Sequence, residues 1–363
     1  MTPSLSIEES RPLAAEFFKK IGLLTGGGDC PGLNAAIRAV VRRAHQLGIG
    51  VFAVYEGFKG LVEGNVAPFP LRQASGILHV GGTILRSSRF NPFKSKENLQ
   101  ALRQEVKKRG LQGLVVIGGE GSLRLACDLT RKKIVRCIGI PKTIDNDVYG
   151  TDVTIGFQTA VNTATEAVDK LHTTAESHNV VMVVEVMGRH TGWIAASAGL
   201  AGGADLILMP EKRLNEESIR RIILNRHARG KKFSIVVVAE DARVVNNRGR
   251  VVVSMPTSRD DYGPIKSSGV GEGVARLIRR LTGFETRVVV LGHVQRGGSP
   301  TPEDRILATR FGVLAAELAA KNKWNRMTAI RNGKILSVPL NTVTGRIKKV
   351  DPGLYRLANY FFG

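Results

Sequence analysis

The amino-acid sequence predicts an α/β protein with two Rossmann-like, three-layer α/β/α domains, mostly parallel sheets and a cleft between the domains. Apolar runs of strand length alternate with segments of helical periodicity along most of the 363 residues. Several of these runs are nearly continuous in β-branched residues, which is typical of parallel strands buried on both faces. Glycine-rich loops follow some of the runs, as expected where strands lead into helices.

The first predicted elements are a strand, a loop, a helix and a second strand. We predict a buried strand for IGLLT, a glycine-rich loop for GGGDCPGLN and a helix for NAAIRAVVRRAHQLG, which ends at Gly48. VFAVYEG follows as the next strand. Residues 1–18 are predicted to be an extension with no assigned function, in which Pro3 and Pro12 argue against one long helix.

The same alternation predicts the later elements. GLVVIGG is predicted to be a strand that leads into GEGS, SLRLACDL to be a helix, and VRCIGIP to be a strand that ends at Pro141. NVVMVVEVMG, FSIVVVAE and RVVVLGHV are predicted to be buried strands. QTAVNTATEAVDKLHTTAE and GVGEGVARLIRRLTG have the periodicity of the helices between them.

Composition places the chain among ordinary globular proteins. Apolar residues make up 43% and charged residues 23%, which excludes a disordered or collagen-like chain. The three cysteines, Cys30, Cys127 and Cys137, are too scattered for a disulfide framework or a zinc site. No apolar run approaches the roughly 18 residues that cross a bilayer, and the N-terminus lacks a signal-peptide core. We therefore expect a cytoplasmic protein with no membrane partner.

The formal net charge of +22 favours anionic partners, which include phosphorylated small molecules, nucleic acid and acidic surfaces. Charge by itself does not choose among them. Because the sequence has no evident RRM, KH, zinc-finger or helix-turn-helix signature, we do not expect nucleic acid as a partner.

The loop at 26–34 is the first candidate ligand site. It follows a strand and opens a helix, where backbone N–H groups are available and glycines such as Gly27 let phosphate approach. Neither G-x-x-x-x-G-K-[ST] nor G-x-G-x-x-G occurs in it, so we predict neither a P-loop ATPase nor a dinucleotide site. A purely structural turn is the alternative.

A second loop, Gly118-Gly119-Glu120-Gly121-Ser122, repeats this arrangement after a later strand. Its glycines would admit phosphate oxygens, and Glu120 would supply a carboxylate to Mg²⁺. Two such loops after strands of one sheet suggest a polyphosphate. A glycine turn capped by Ser122 explains the motif nearly as well.

The third candidate site is PKTIDND at 141–147, after a strand that ends at Ile140. Asp145 and Asp147 are expected to alternate along an extended stretch, so that one faces a substrate hydroxyl and the other faces metal or structure. A carboxylate bonded to a hydroxyl can accept its proton as that oxygen attacks phosphorus. An Asx turn or a helix cap is the alternative.

Polar residues after the later strands form a candidate phosphosugar pocket. Arginines there could bind a sugar phosphate bidentately, and a glutamate could accept hydroxyl hydrogen bonds. Each of them alone could equally be part of a surface ion pair. They are Met187, Gly188, Arg189, Glu240, Arg287, His293 and Arg296.

Six blocks in order resemble the 6-phosphofructokinase family, from about Lys20 to Gly312. They are LTGGGDCPGLNAAIR, VVIGGEGS, PKTIDND, GTDVTIGFQTA, VVEVMGRHTGW and RVVVLGHVQRGGSPTPEDRILA. The resemblance implies the glycolytic transfer of phosphate to O1 of fructose 6-phosphate with Mg²⁺, by an enzyme that is usually a homotetramer, with a dimer as the alternative. It also implies two discontinuous domains. The phosphoryl-donor domain would comprise 19–156 with 295–345, and the fructose 6-phosphate domain 157–294 with 346–363.

The resemblance also implies roles for individual residues. Asp145 matches the position of the family's general base. Thr143 would contact the acceptor sugar, and Asp147 would support the base or the metal. Arg89 and Arg189 would meet the transferring phosphoryl group. The sugar phosphate would be held by Arg287, His293 and Arg296, and the sugar body by Met187, Gly188 and Glu240. The donor and Mg²⁺ would be held by Gly27, Gly119, Glu120, Gly121, Ser122 and Lys142.

Departures from the family pattern bear on the substrates. Glu120 stands where the family often has aspartate, and Leu125 where a glycine often contacts adenine. Val180 replaces a basic residue that reaches a neighbouring subunit's sugar phosphate. Family members that use pyrophosphate tend to have aspartate at the position of Gly121 and lysine at the position of Lys142. Common ATP users have glycine at both positions. A carboxylate at position 121 would repel the ATP α-phosphate, so we expect ATP as the donor, with pyrophosphate as the alternative.

Regulation and a non-catalytic role are further possibilities that the sequence leaves open. Four basic residues match positions that line an effector pocket in bacterial relatives: Arg38, Arg42, Arg229 and Lys231. Two further arginines of that pocket are replaced in this chain by Asn65 and His172. Ordinary surface basicity is an equal interpretation. A distant alternative is a non-catalytic protein that binds RNA or another anion on this fold.

Overall fold

A computed structural model describes residues 19–254, 257–260, 263–266 and 269–363 of the protein. The predicted extension at 1–18 lies outside the described residues. In chain order the strands and helices are β1 (Lys19–Gly26), α1 (Leu33–Gln46), β2 (Ile49–Val54), α2 (Gly57–Glu63), β3 (Val66–Pro68), α3 (Lys96–Arg109), β4 (Gly113–Gly118), α4 (Glu120–Arg131), β5 (Cys137–Pro141), α5 (Phe157–His178), β6 (Val181–Val186), α6 (Trp193–Ala201), β7 (Leu206–Leu208), β8 (Leu214–Asn215), α7 (Glu216–Ala228), β9 (Ser234–Ala239), β10 (Val244–Val245), β11 (Val251–Val253), β12 (Thr257–Asp260), β13 (Gly263–Lys266), α8 (Val270–Thr282), β14 (Thr286–Val290), α9 (Pro302–Ala320), β15 (Arg326–Arg331), β16 (Lys334–Pro339) and α10 (Pro352–Asn359).

Internal packing divides the described residues into two units, each formed by separate stretches of chain. The first unit consists of 19–29, 33–141 and 305–344, and the second of 30–32, the described part of 142–304, and 345–363.

Three segments group differently from the boundaries that the resemblance implies. Residues 30–32, 142–156 and 295–304 pack with the second unit, whereas those boundaries place them in the donor domain. Hydrogen bonds join two of these segments to 157–294. The Thr191 hydroxyl donates to the Asp145 carbonyl at 3.0 Å, and the Asp304 carboxylate accepts the N–H of Thr159 at 2.8 Å.

Within the described residues, the first unit contains one sheet with the strand order β16-β15-β5-β4-β1-β2-β3. The strands from β15 to β2 are parallel, and β16 and β3 are antiparallel edges. Strands β2, β4 and β5 are buried throughout, because helices cover a sheet of this kind on both faces. The four strands predicted for this unit are confirmed.

The second unit contains a parallel sheet with the order β14-β6-β9-β7 among its described strands. Alternate residues of β6 and β9 pack into one core with α7 and α8. On β9 the intervening residue Val237 lies against α6, since a Cβ at Gly199 would be 3.4 Å from the Val237 Cβ. The three predicted strands are therefore confirmed, with helices on both faces of the sheet. Of the three, β6 and β9 are buried throughout. The prediction that the third is buried is wrong, because β14 is an edge strand whose Arg287 and Val290 are exposed. In the described part of the chain, none of the helices has the length and apolarity to span a bilayer.

Two local predictions are corrected. Helix α4 begins at Glu120, two residues earlier than the predicted start at Ser122. The segment 144–147 is not extended, because Ile144 and Asp145 form a turn and Asn146 has φ of +50°. The directions of the Asp145 and Asp147 side chains are consequently determined by a turn, and not by the alternation of an extended strand.

Candidate active site

The two glycine loops of the first unit begin side by side on adjacent strands. Gly26 at the end of β1 is paired in register with Gly118 at the end of β4. Because parallel strands end at the same edge of a sheet, both loops leave that edge together. Gly27 has φ of +82°, a conformation that glycine adopts without strain, and its N–H donates to the Ser88 carbonyl at 3.1 Å. This bond brings the exposed Arg89 to the same loop region.

The first turn of α4 packs directly on these strand ends. A Cβ at Gly26 would lie 2.6 Å from Ser122 Oγ, and one at Gly118 would lie 2.4 Å from Ser122 Cβ. Ser122 therefore packs on two glycines. The predicted cap by Ser122 is not found, since Gly119 occupies the cap position and makes no side-chain cap. The backbone N–H groups of this helix end carry the partial positive charge that suits a phosphate.

Glu120 is the residue of this loop that fits a magnesium ion. Its half-buried carboxylate lies in the first turn of α4, with Oε2 3.9 Å from the Arg124 guanidinium. Among the described residues no group of three or more acidic, histidine or cysteine side chains could hold a metal. Mg²⁺ is often held by one or two protein carboxylates, with substrate phosphates and water as its other ligands. Glu120 therefore fits this ion.

Gly121 borders open space on the exposed side of α4. A Cβ added there would meet no heavy atom within 4 Å. The fold would therefore accommodate a side chain at this position. Such a side chain would change the contacts of a ligand bound beside the loop.

In the second unit, a tight turn after β5 carries Asp145. The Asp145 N–H donates to Thr143 Oγ1 at 3.1 Å, which closes the turn. The Asp145 side chain is only 3% exposed, and within the described residues its Oδ1 has no hydrogen-bond partner. A buried carboxylate oxygen without a partner costs free energy, so such an atom points to a role with a ligand. Asp147, by contrast, is half-buried.

Arg189 is the cation next to this carboxylate. Its Nε lies 3.7 Å from Asp145 Oδ2, and its side chain is 49% exposed. The residue has φ of +52°, held by a 2.6 Å hydrogen bond from its N–H to Glu240 Oε1. Thr191 joins this loop to the Asp145 turn, because its hydroxyl donates to the Asp145 carbonyl at 3.0 Å. The structure thus brings together Asp145, Arg189 and Glu240, three of the predicted site residues.

Further predicted residues meet at the carboxyl edge of the second sheet. Met187 follows β6, and its N–H donates to Gln295 Oε1 at 3.4 Å in the 3₁₀ turn Gly292–Arg296. That turn follows β14 and carries the exposed His293 and the half-buried Arg296. The buried Gly188 has φ of +149° between Met187 and Arg189.

Arg287 lies at the opposite edge of this sheet. It is the second residue of β14, is paired with Met182, and its Nε donates to Glu285 Oε1 at 2.9 Å. The expectation that it follows a strand end is therefore wrong. Val180, which precedes β6 at this same edge, is fully buried and offers no charge.

Lys348 is a residue of this region that sequence reasoning missed. Its Nζ donates to Asn146 Oδ1 at 2.8 Å, immediately after Asp145. Burial lowers the pKa of Lys348 to about 8, although Asp152 and Asp147 favour its charged form. The sequence gives no signal for this contact, since the two residues are 202 positions apart.

Of the other predicted residues, Lys142 is buried at the start of the second unit's segment, after β5. The candidate effector residues divide between the units. Arg38 and Arg42 lie one helical turn apart on α1, whereas Arg229 and Lys231 are exposed after α7. An effector role for them stays a prediction.

The fold and the loops at its strand ends define the class of protein. It is an α/β protein with mostly parallel sheets, glycine loops at the strand edge of the first unit, and a buried carboxylate beside an arginine in the second. The phosphofructokinase family model matches residues 20–319, and the chain belongs to the phosphofructokinase family.

Relatives and solved structures agree with this assignment. The chain is 48% identical over 345 residues to a protein of Streptomyces coelicolor named pyrophosphate–fructose 6-phosphate 1-phosphotransferase, covering 95% of this chain and 100% of that one. It is also 48% identical over 344 residues to an ATP-dependent 6-phosphofructokinase of Chloroflexus aggregans, covering 92% and 93%. The structure of phosphofructokinase from Saccharomyces cerevisiae matches with a TM-score of 0.76 and 34% identity, over 90% of this chain and 45% of that longer one.

Proposed function

We propose that this chain transfers the terminal phosphoryl group of ATP to O1 of fructose 6-phosphate, giving fructose 1,6-bisphosphate and ADP. The O1–phosphorus bond forms as the bond from that phosphorus to its bridging oxygen breaks. The hydroxyl proton passes to Asp145. Bound Mg²⁺ would supply charge neutralisation to the phosphate oxygens, with Glu120 as its protein ligand.

The unpartnered Oδ1 of Asp145 is the observation that carries this proposal. A general base must have a lone pair directed at the hydroxyl that it deprotonates, and this buried oxygen has no hydrogen-bond partner among the described residues. Arg189, whose Nε lies 3.7 Å from Oδ2, would favour the charge that develops on the transferring group. His293 and Arg296 would hold the phosphate of the sugar, and Met187, Gly188 and Glu240 would contact the sugar body.

The choice of ATP as donor is supported by the residues predicted to bind it. Gly27, Gly119 and Ser122 would cradle the phosphates, with Arg89 and Lys142 as additional cations. The space beside Gly121 leaves room for a nucleotide's α-phosphate, and no carboxylate is present at that position to repel it.

Pyrophosphate is the second candidate donor, because relatives of comparable identity carry both names. Lys142 is compatible with it, since an ammonium group can pair with either donor's phosphates.

Initial rates with fructose 6-phosphate, Mg²⁺ and either ATP or pyrophosphate test the proposal. We expect ATP to give the higher kcat/KM, and Asp145→Ser to lower kcat by about 10²–10⁴-fold while fructose 6-phosphate affinity changes little. Turnover with pyrophosphate alone would select the second donor. A folded protein that phosphorylates no hexose with either donor would overturn the proposal and favour the non-catalytic alternative.

A further inference from the structure

We propose that Lys348 is a positioning residue that holds the turn carrying Asp145. This inference rests on the proposed role of Asp145 as the base. The three N–H bonds of the Lys348 ammonium match three acceptors of one loop, since Nζ donates to Asn146 Oδ1 at 2.8 Å, to the Asp152 carbonyl at 2.7 Å and to the Thr151 carbonyl at 3.0 Å.

The contact with Asn146 is the step that reaches Asp145. Asn146 follows Asp145 in the chain and has φ of +50°, a left-handed conformation that a residue with a side chain keeps only where its surroundings hold it. Its Oδ1 also accepts the N–H of Thr154 at 3.1 Å. Lys348 and Thr154 thus fix the Asn146 amide from two sides, and with it the backbone direction at Asp145.

The backbone of Lys348 strengthens the same connection. Its N–H donates to the Asp147 carbonyl at 2.9 Å, and the neighbouring Ile347 forms an antiparallel bridge with Val148. The segment that follows Gly345 is therefore paired with the chain immediately after Asp145.

A third contact ties Lys348 to the loop of Arg189. The indole N–H of Trp193 donates to the Lys348 carbonyl at 3.0 Å, and Nζ lies 5.0 Å from the centre of the Trp193 ring. Trp193 begins α6, directly after the loop that carries Arg189 and Thr191. Lys348 thereby contacts both regions, since its side chain bonds to the loop after Asp145 and its carbonyl accepts from the residue that follows the Arg189 loop.

Removing the ammonium while keeping the apolar stem tests this role. We expect Lys348→Met to lower kcat by about 10²-fold, the loss typical of a catalytic group misplaced by about 1 Å. The dissociation constant for fructose 6-phosphate, measured by calorimetry, should change by less than about 3-fold. Lys348→Arg, which keeps the charge and several donors, should recover part of the lost kcat.

Lys349→Met is the matched control, because Lys349 is the adjacent exposed lysine. It should leave kcat and affinity unchanged. In the Asp145→Ser background, Lys348→Met should cost less than about 3-fold further, since its effect acts through the carboxylate already removed. A full additive loss in that background would mean that Lys348 acts elsewhere and would overturn the inference.

The outcomes separate this inference from the proposed function. If Asp145→Ser turns over at the rate of the unaltered chain, the base role is wrong. If Asp145→Ser is impaired while folded Lys348→Met keeps the full kcat, only the role of Lys348 is wrong. Should Lys348→Met fail to fold, Asn146→Ala removes the acceptor of the same contact and is expected to give the same fall in kcat.

Discussion

At the scale of single residues, Gly121 allows the donor preference to be tested by charge alone. A Cβ at this position meets no heavy atom within 4 Å, so the fold tolerates a side chain there. We expect Gly121→Asp to lower kcat/KM for ATP by about 10²-fold, because a carboxylate about 4 Å from a phosphate is repelled by several kcal/mol at an intermediate dielectric. Pyrophosphate, which has no α-phosphate, should be affected much less.

Gly121→Asn is the control for this prediction, since it adds nearly the same volume without the charge. Steady-state kinetics with both donors distinguish the causes. Equal losses for Asp and Asn would show that size decides, and equal losses for both donors would show that this position does not select the donor.

Tyr355 on α10 provides a prediction about stability and pH. It is 9% exposed, and among the described residues its hydroxyl has no hydrogen-bond partner. We expect Tyr355→Phe to raise the free energy of unfolding by about 1 kcal/mol at pH 7, because it removes a buried unpaired polar group. Urea unfolding measures this change, and a destabilised Phe variant would contradict it.

The effect of Tyr355→Phe should grow in alkaline solution. Burial raises the pKa of Tyr355 to about 12 from its ordinary value of 10.0. Between these two pH values the unfolded chain loses a proton that the folded chain keeps. The free energy of unfolding of the unaltered chain, which this titration leaves unchanged below pH 10, therefore falls as pH rises from 10 towards 12. Tyr360→Phe, at a residue that is 81% exposed, is the control and should change the free energy of unfolding at pH 7 by less than about 0.5 kcal/mol.

At the scale of elements, the start of α5 depends on a carboxylate from the first turn of α9. The buried Asp304 accepts the N–H of Gly156 and of Thr159 at 2.8 Å each, and the Thr159 hydroxyl at 2.6 Å. An amide in its place would turn a donor toward one of these N–H groups. We therefore expect Asp304→Asn to lower the free energy of unfolding by about 3 kcal/mol.

Denaturant unfolding at constant m-value checks this prediction, with Glu303→Gln as its control. Glu303 is the exposed neighbour in the same helical turn, and its change should fall within about 0.5 kcal/mol of zero. Similar losses for the two variants would mean that general helix electrostatics, and not the buried hydrogen bonds, stabilise this junction.

At the scale of the whole molecule, the charge of +22 predicts salt-sensitive binding to any polyanion. With 6–10 phosphate contacts, affinity for RNA should fall by about 10³–10⁵-fold between 50 and 200 mM salt. Turnover should persist at the higher salt, because the substrate sites are partly buried and less screened. Fluorescence anisotropy with a labelled RNA, run beside the kinase assay, measures both. RNA binding that survives at 200 mM salt without turnover would favour the non-catalytic alternative.

The sequence by itself determined the features that depend on neighbouring residues. Continuous β-branched runs identified β6 and β9, because the residue types within a few positions predict a buried strand. Glycines after β1 and β4 identified the loops that leave one strand edge, because glycine allows the backbone conformations of tight loops. That Asp145 and Arg189 each follow a strand was also predictable, whereas their contact was not, because β5 and β6 belong to different sheets.

Only the tertiary structure decided the features that depend on distant chain segments. The side chain of Lys348 reaches Asn146, the left-handed neighbour of Asp145, across 202 positions of sequence. Arg287 was predicted from the sequence to join the same phosphosugar pocket as Arg296, yet its position near the start of β14 places it at the other edge of the sheet. The periodicity of apolar residues predicts which face of a strand is buried. The hydrogen-bond partners of a polar side chain depend on distant segments, which become neighbours only in the folded chain.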